Sequence, residues 1–256
     1  MTPYHYDILI VGAGIAGSAL AHALSTITSC SRGSQLKICL LERSLAEPDR
    51  IVGELLQPGG YKALKILGLR DCLEGIDAVP TYGYCVIESG EIVPIPYPDG
   101  EEGRSFHHGR FIQALRGKAK QAAGVVVVEA SATELIECEY TKRVIGVHAI
   151  RKGEDKEAFY ADLVVIADGC FSNFRSAVLG ADAPKSITKS HFVGAILKDA
   201  RLPMPKHGTV ALTKGFGPVL MYQISEHDTR ILIDIRAPLP SDLKASIIDF
   251  PNFYFF

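Results

Sequence analysis

The stretch Tyr6-Asp7-Ile8-Leu9-Ile10-Val11-Gly12-Ala13-Gly14-Ile15-Ala16-Gly17 decides the fold, because an apolar strand runs directly into a turn of GxGxxG spacing. Residues 18–24 are compatible with a helix, and residues 36–41 form a second apolar run that delivers Glu42. In such a motif the first glycine permits the tight turn and the second lets a pyrophosphate approach bare backbone. The third lets helix and strand pack closely, and the helix N-terminus faces the phosphates. Glu42 lies 30 residues after Gly12, later than the usual spacing of about 20. The polar residues 26–35, read as a loop, account for the excess. Strand, turn, helix, strand and acid in this order predict a site for an ADP-containing dinucleotide, in preference to a glycine turn without a ligand.

Composition bounds the rest. The 256 residues suffice for one large domain or two intimate ones, with 47% hydrophobic and 22% charged residues. A net charge of −2 gives no reason to expect nucleic acid as a partner. No cationic region is followed by an apolar core and cleavage site, so secretion is not expected. The six cysteines at 30, 39, 72, 85, 138 and 170 form no CxxC pair and read as reduced thiols, mostly small core residues. Residues 8–24 make the longest apolar stretch, but 17 residues containing His22 and three glycines suit the strand–turn–helix better than a membrane span.

Further along, residues 43–57 read as a polar stretch, and Pro58-Gly59-Gly60 opens an amphipathic helix with Leu64 and Leu67 on one face. Residues 83–87 and 92–95 flank the turn Glu88-Ser89-Gly90-Glu91 and predict a β-hairpin. Pro94, Pro96 and Pro98 confine the next segment to an edge or loop. Residues 111–122 have helical periodicity. Strands are expected at 125–129, 133–138, 144–150, 159–163 and 164–167, then in antiparallel order at 192–197, 209–212, 219–224 and 231–235. The organisation expected is a discontinuous dinucleotide-binding α/β domain, residues 1–82 and 104–180. A β-rich substrate domain, residues 83–103 and 181–243, is interleaved with it, and residues 244–256 form an atypical tail.

Asp168-Gly169 closes a buried apolar strand and places a carboxylate at the carboxyl edge of the sheet, where ligands of open α/β folds bind. The GxGxxG motif, the pair Glu42-Arg43 and this later Asp-Gly resemble the two-domain FAD monooxygenases of the hydroxybenzoate-hydroxylase (GR2) type. The block Glu47-Pro48-Asp49-Arg50-Ile51-Val52-Gly53-Glu54-Leu55-Leu56-Gln57-Pro58-Gly59-Gly60 is similar to the signature of squalene epoxidases. So are Gly103-Arg104-Ser105-Phe106-His107-His108-Gly109-Arg110-Phe111, Ala167-Asp168-Gly169-Cys170-Phe171-Ser172-Asn173-Phe174-Arg175 and the run from Tyr222 to Arg236. The fold class implied is α/β, a Rossmann-like FAD-binding domain with an interleaved β-rich substrate domain.

The resemblance implies a set of FAD contacts: Gly12, Gly14, Ile15, Ala16 and Gly17 at the pyrophosphate, Glu42 on the adenosine ribose and Arg43 beside it. Arg50 and Leu55 approach the flavin side, and Arg116, Ala132 and Asp168 complete the set. Asp168 also matches a motif proposed to touch the nicotinamide donor. Gln57 and Tyr84 match the polar pair of the family's active site, where an apolar substrate pocket needs one or two placed polar groups. Without the resemblance, Arg116 reads equally as a solvated helix residue and Tyr84 as an ordinary hairpin tyrosine. His107-His108 is not read as a metal site, since adjacent histidines point apart and no acid or thiol stands at ligand spacing.

The activity implied is epoxidation of squalene to (S)-2,3-epoxysqualene by O2 in sterol biosynthesis, through a flavin hydroperoxide on FAD. The implied electron source is NADPH, through a cytochrome-reductase-type flavoprotein at the endoplasmic reticulum membrane, on its cytosolic face. The family continues with a third flavin motif and hydrophobic C-terminal helices, while this sequence stops at Phe256. The expectation is therefore a truncated product without its membrane anchor, soluble by itself and incomplete as a catalyst. Rival readings are an NAD-dependent dehydrogenase, which leaves Arg50 and the Asp-Gly motif unused, and a flavin hydroxylase of another substrate.

Overall fold

The computed structural model describes residues 4–31, 35–180, 183–184, 187–213, 217–239 and 241. The expected tail at 244–256 lies outside them. The chain forms two compact units, one of Met1–Pro48 with Ile112–Pro184 and one of Asp49–Phe111 with Lys185–Phe256.

The first unit opens with β1 (Tyr4–Val11), α1 (Ile15–Ser31) and β2 (Ile38–Glu42). The chain then builds part of the second unit: β3 (Leu55–Leu56), α2 (Pro58–Ile66), β4 (Val79–Thr81), β5 (Gly83–Glu88), β6 (Glu91–Pro96) and β7 (Gly103–Ser105). Helix α3 (His108–Gln121) leads back to the first unit, with β8 (Val125–Glu129), β9 (Ser131–Glu137), β10 (Val144–Ile150), β11 (Lys156–Ile166) and α4 (Arg175–Leu179). The second unit is resumed by β12 (Ser190–Lys198), β13 (Gly208–Leu212), β14 (Val219–Gln223) and β15 (Asp228–Arg236).

Among the described residues, the first unit carries a six-stranded sheet in the order β8-β2-β1-β11-β10-β9. Its first four strands pair in parallel, and β10 and β9 join antiparallel. Because side chains alternate across a strand, β1 serves two cores at once. Leu9 and Val11 pack with Cys39, Leu41, Val147 and Phe159 on one face. Ile8 and Ile10 pack with Ile38, Leu40 and Ala21 of α1 on the other. A strand covered on both faces reads as the unbroken apolar run seen in the sequence.

Among its described residues, the second unit has a six-stranded sheet, β12-β15-β14-β13-β5-β6, and a three-stranded one, β3-β7-β4. The hairpin β5–β6 forms as expected, and its proline-bearing strand β6 is at the sheet edge. The order is not purely antiparallel: β13 pairs with β5 in parallel, Gly208 opposite Tyr84.

Three boundaries differ from the sequence reading. Helix α1 has 17 residues, so most of the loop expected at 26–35 is helix. Thr26 Oγ1 returns to Ala23 O at 2.8 Å, satisfying on the helix's own backbone a hydroxyl that suggested a loop. The strands expected at 159–163 and 164–167 are one strand, β11, which pairs with β10 and β1 together. The compact division places residues 49–82 and 104–111 with the β-rich unit. The short strands β3, β4 and β7 there pair with one another, and Glu54 is bonded to Arg230 of β15. Among the described residues, no helix is long and apolar enough to cross a membrane.

Candidate functional site

In the first unit, the glycine turn is shaped by what lies against it. A Cβ on Gly12 would stand 2.4 Å from Ala167 O and 2.9 Å from Asp168 Cα, and its φ of +104° excludes most side chains. A Cβ on Gly17 would stand 1.9 Å from Gly12 O. Gly14 meets nothing within 4 Å. Two glycines are therefore consumed by packing, while the middle one fronts open space at the start of α1, beside the exposed Ile15 and Ala16. Unpaired backbone N–H groups at the N-terminus of a 17-residue helix and a bare Cα make a cradle for a phosphate. Asp168 is adjacent, since Ala167 N bonds Val11 O at 2.8 Å and Gly169, at φ +81°, turns the chain away.

Glu42 closes the same turn. Its Oε2 accepts from Ala13 N at 2.8 Å and faces Arg116 Nη2 at 3.4 Å, and its Oε1 accepts from Ser44 N at 3.2 Å. A carboxylate offers about four acceptor positions, so Oε1 retains one for a hydroxyl donor. Arg116 is 8% exposed, not a solvated helix residue. Its Nε donates to Ala13 O at 2.8 Å and its Nη1 to Ala46 O at 3.1 Å. Burial pulls its pKa down, and Glu42 and Glu129 oppose that pull. Three of its five N–H donors thus serve to fix the turn and the acid. Arg43 is exposed at the end of β2, and Ala132 is partly buried in β9, opposite Ala149.

The second unit holds the other candidates. Arg50 is exposed and Leu55 is half-buried in β3. Gln57 stands at the N-cap position of α2 without a side-chain capping bond, and its Nε2 donates instead to Tyr84 Oη at 2.8 Å. The polar pair named from the sequence is thus assembled from two different sheets' neighbourhoods. The Tyr84 ring has a prepared seat. A Cβ on Gly208 would come within 2.9 Å of Tyr84 Cδ1, and Tyr97 meets the ring edge-on with centroids 5.8 Å apart. Burial and the neighbouring Tyr84 hydroxyl push the Tyr97 phenol up.

Beside this pair is a cluster to which the sequence reading gave no role. Glu54, 1% exposed, accepts from Arg230 Nε and Nη2, both at 2.8 Å, and from Tyr222 Oη at 3.1 Å. Burial, then Glu54, pushes the Tyr222 phenol well up, and the bond to Glu54 raises Arg230. The available signal was an arginine directly before the apolar residues Ile231-Leu232-Ile233. The two adjacent histidines do diverge: His107 Nε2 meets Asp228 Oδ2 at 3.0 Å and His108 Nδ1 meets Gly53 O at 3.0 Å.

A family model described as squalene epoxidase matches residues 160–250. The squalene epoxidase erg1 of Aspergillus fumigatus is 48% identical over 247 residues, covering 93% of this chain and 48% of that protein. Over nearly its whole length the chain is similar to squalene epoxidases. The squalene monooxygenase of Mus musculus is 44% identical over 93% of the chain and 41% of its own length. The chain spans about half the length of the curated relatives it matches. The fold is shared with more distant proteins of known structure. The myxobacterial chondrochloren halogenase CndH, a variant of the FAD-dependent halogenases, aligns with a TM-score of 0.77 at 18% identity, over 96% of this chain and 57% of that one. Pseudomonas aeruginosa PqsL, in complex with 2-aminobenzoylacetate, aligns at 0.74 and 19%, over 91% and 61%.

Proposed function

We propose that this chain binds FAD through its first unit and, as part of a squalene epoxidase, transfers one oxygen atom from O2 to the 2,3 double bond of squalene. The observation that carries the FAD reading is the division of labour among the glycines, with Gly12 and Gly17 filled by backbone and Gly14 open. The backbone of Gly14, Ile15 and Ala16 would hold the pyrophosphate, and the free acceptor position of Glu42 the ribose. Arg43, Ala132 and Asp168 are the further contacts of this unit. Arg116 acts one step back, holding Ala13 and Glu42 in place. Reduced FAD would supply the oxygen activation that no side chain of the protein can.

The identity of 48% to the Aspergillus protein over nearly the whole chain supports squalene as the substrate. In that reading Gln57 and Tyr84 give an otherwise apolar substrate its few polar neighbours. Because Gln57 Nε2 donates to Tyr84 Oη, the tyrosine's own proton stays available to orient an oxygen. NADPH as electron source, a reductase flavoprotein as partner and the endoplasmic reticulum membrane as location belong to the same proposal.

The test is the visible absorbance of the purified chain after incubation with FAD and desalting. A flavin spectrum at near one equivalent is expected, and it should be followed by squalene turnover with a reductase and NADPH. Colourless protein would refute the claim that this chain holds the cofactor.

A further inference from the structure

The strand β3, which leads into Gln57, is only two residues long, too short to fix a side chain to a few tenths of an ångström. Tyr84 stands on β5, in the other sheet of the unit. A hydrogen bond of 2.8 Å between them therefore requires something that ties residues 54–57 to the six-stranded sheet. The carboxylate of Glu54 is such a tie. It sits three residues before Gln57, its backbone oxygen is fixed by Phe106 N at 2.8 Å, and its side chain reaches across to the sheet that bears Tyr84. Tyr222 and Arg230 receive it there from adjacent strands, directly opposite one another in register.

We infer that Glu54 is a positioning residue, which through its fork on Arg230 and its bond to Tyr222 sets Gln57 against Tyr84. A buried ion pair is a poor source of stability beside apolar packing of the same volume. A bidentate pair does impose direction and distance, which apolar packing does not. Both oxygens of Glu54 are used, Oε1 by one donor and Oε2 by two. The carboxylate is thus fixed in rotation as well as in position. Three residues of extended chain span about 10 Å, so a tilt of the carboxylate's seat reaches the Gln57 amide with little attenuation.

This inference rests on the reading of Gln57 and Tyr84 as the functional pair, yet its test needs neither flavin nor squalene. The full chain is labelled with 3-fluorotyrosine, and the Tyr84 fluorine resonance is assigned by its loss in Tyr84→Phe. Gln57→Ala then marks the resonance position of a Tyr84 hydroxyl without its partner. Glu54→Gln, nearly isosteric, is expected to move the Tyr84 resonance at least halfway to that mark. Tyr222→Phe, which removes one of the three bonds, should move it less and in the same direction. A Glu54→Gln chain that melts at lower temperature but leaves the Tyr84 resonance at its wild-type position would overturn the inference, since a purely structural carboxylate behaves that way. If Glu54→Gln does not fold, Tyr222→Phe decides by the same criterion. Colourless protein in the flavin experiment with a displaced Tyr84 resonance here would remove the enzymatic reading and leave the anchoring intact.

Discussion

In the first unit, polar chemistry belongs mainly to the backbone, and in the second it belongs to side chains. The glycine turn offers N–H groups and an unobstructed Cα at Gly14, with Arg116 and Glu42 serving to hold that backbone still. The second unit places Gln57, Tyr84, Glu54, Tyr222 and Arg230 by bonding side chain to side chain. A backbone site is written in glycines at fixed spacing, so it is local in the sequence. The side-chain site joins residues up to 176 positions apart. The first kind fails through steric change at one residue, and the second through loss of one partner.

The largest effect expected is in the second unit. Arg230→Ala strands the Glu54 carboxylate at 1% exposure, and breaking a buried pair in this way costs about 3–5 kcal/mol. A denaturant titration should show it as a large fall in the midpoint. Replacing both residues by apolar ones of similar volume should recover most of the loss, because no charge is then left uncompensated. A double variant as unstable as Arg230→Ala would break the comparison, by making the cluster's worth something other than its pairing.

In the first unit the same substitution should act oppositely at neighbouring glycines. Gly12→Ala adds a methyl 2.4 Å from Ala167 O at a φ of +104° and should cost about 1–3 kcal/mol through strain. Gly14→Ala enters open space and should leave stability within about 0.5 kcal/mol, while lowering retention of FAD by crowding the phosphate. Melting curves and flavin absorbance measured together separate the two. Loss of stability at Gly14 would mean that the open space beside it is not a ligand cradle.

That contrast also explains what could be read in advance. The motif at Gly12, Gly14 and Gly17 and the acid at Glu42 are local, so the sequence located the glycine turn and both of its strands. The hairpin 83–96 was legible from its turn and its prolines. The contact Arg116 makes was not, because nothing in a helical heptad says that a guanidinium folds back onto Ala13 O, 103 residues away. Nor was the parallel pairing of β13 with β5, which depends on how the chain returns to a sheet begun 124 residues earlier. Glu54 was hidden in plain view, as an acid in a polar-looking stretch whose partner lies 176 positions away in β15.

The smallest effect sharpens the comparison within the second unit. His227 Nδ1 meets Asp199 Oδ1 at 2.7 Å, with side chains 69% and 73% exposed, so water screens what burial intensifies at Glu54 and Arg230. The bond to Asp199 raises the pKa of His227 above its ordinary value near 6.5. A raised folded-state pKa stabilises fully below the unfolded value and is lost as pH rises through the folded one. The contribution of this pair should therefore fade on going from mildly acidic to alkaline solution. Asp199→Asn should bring the His227 imidazole titration, followed by NMR, back toward the ordinary value, while barely moving the melting temperature at neutral pH. An unmoved titration midpoint would show that the exposed pair is not what holds the proton on His227.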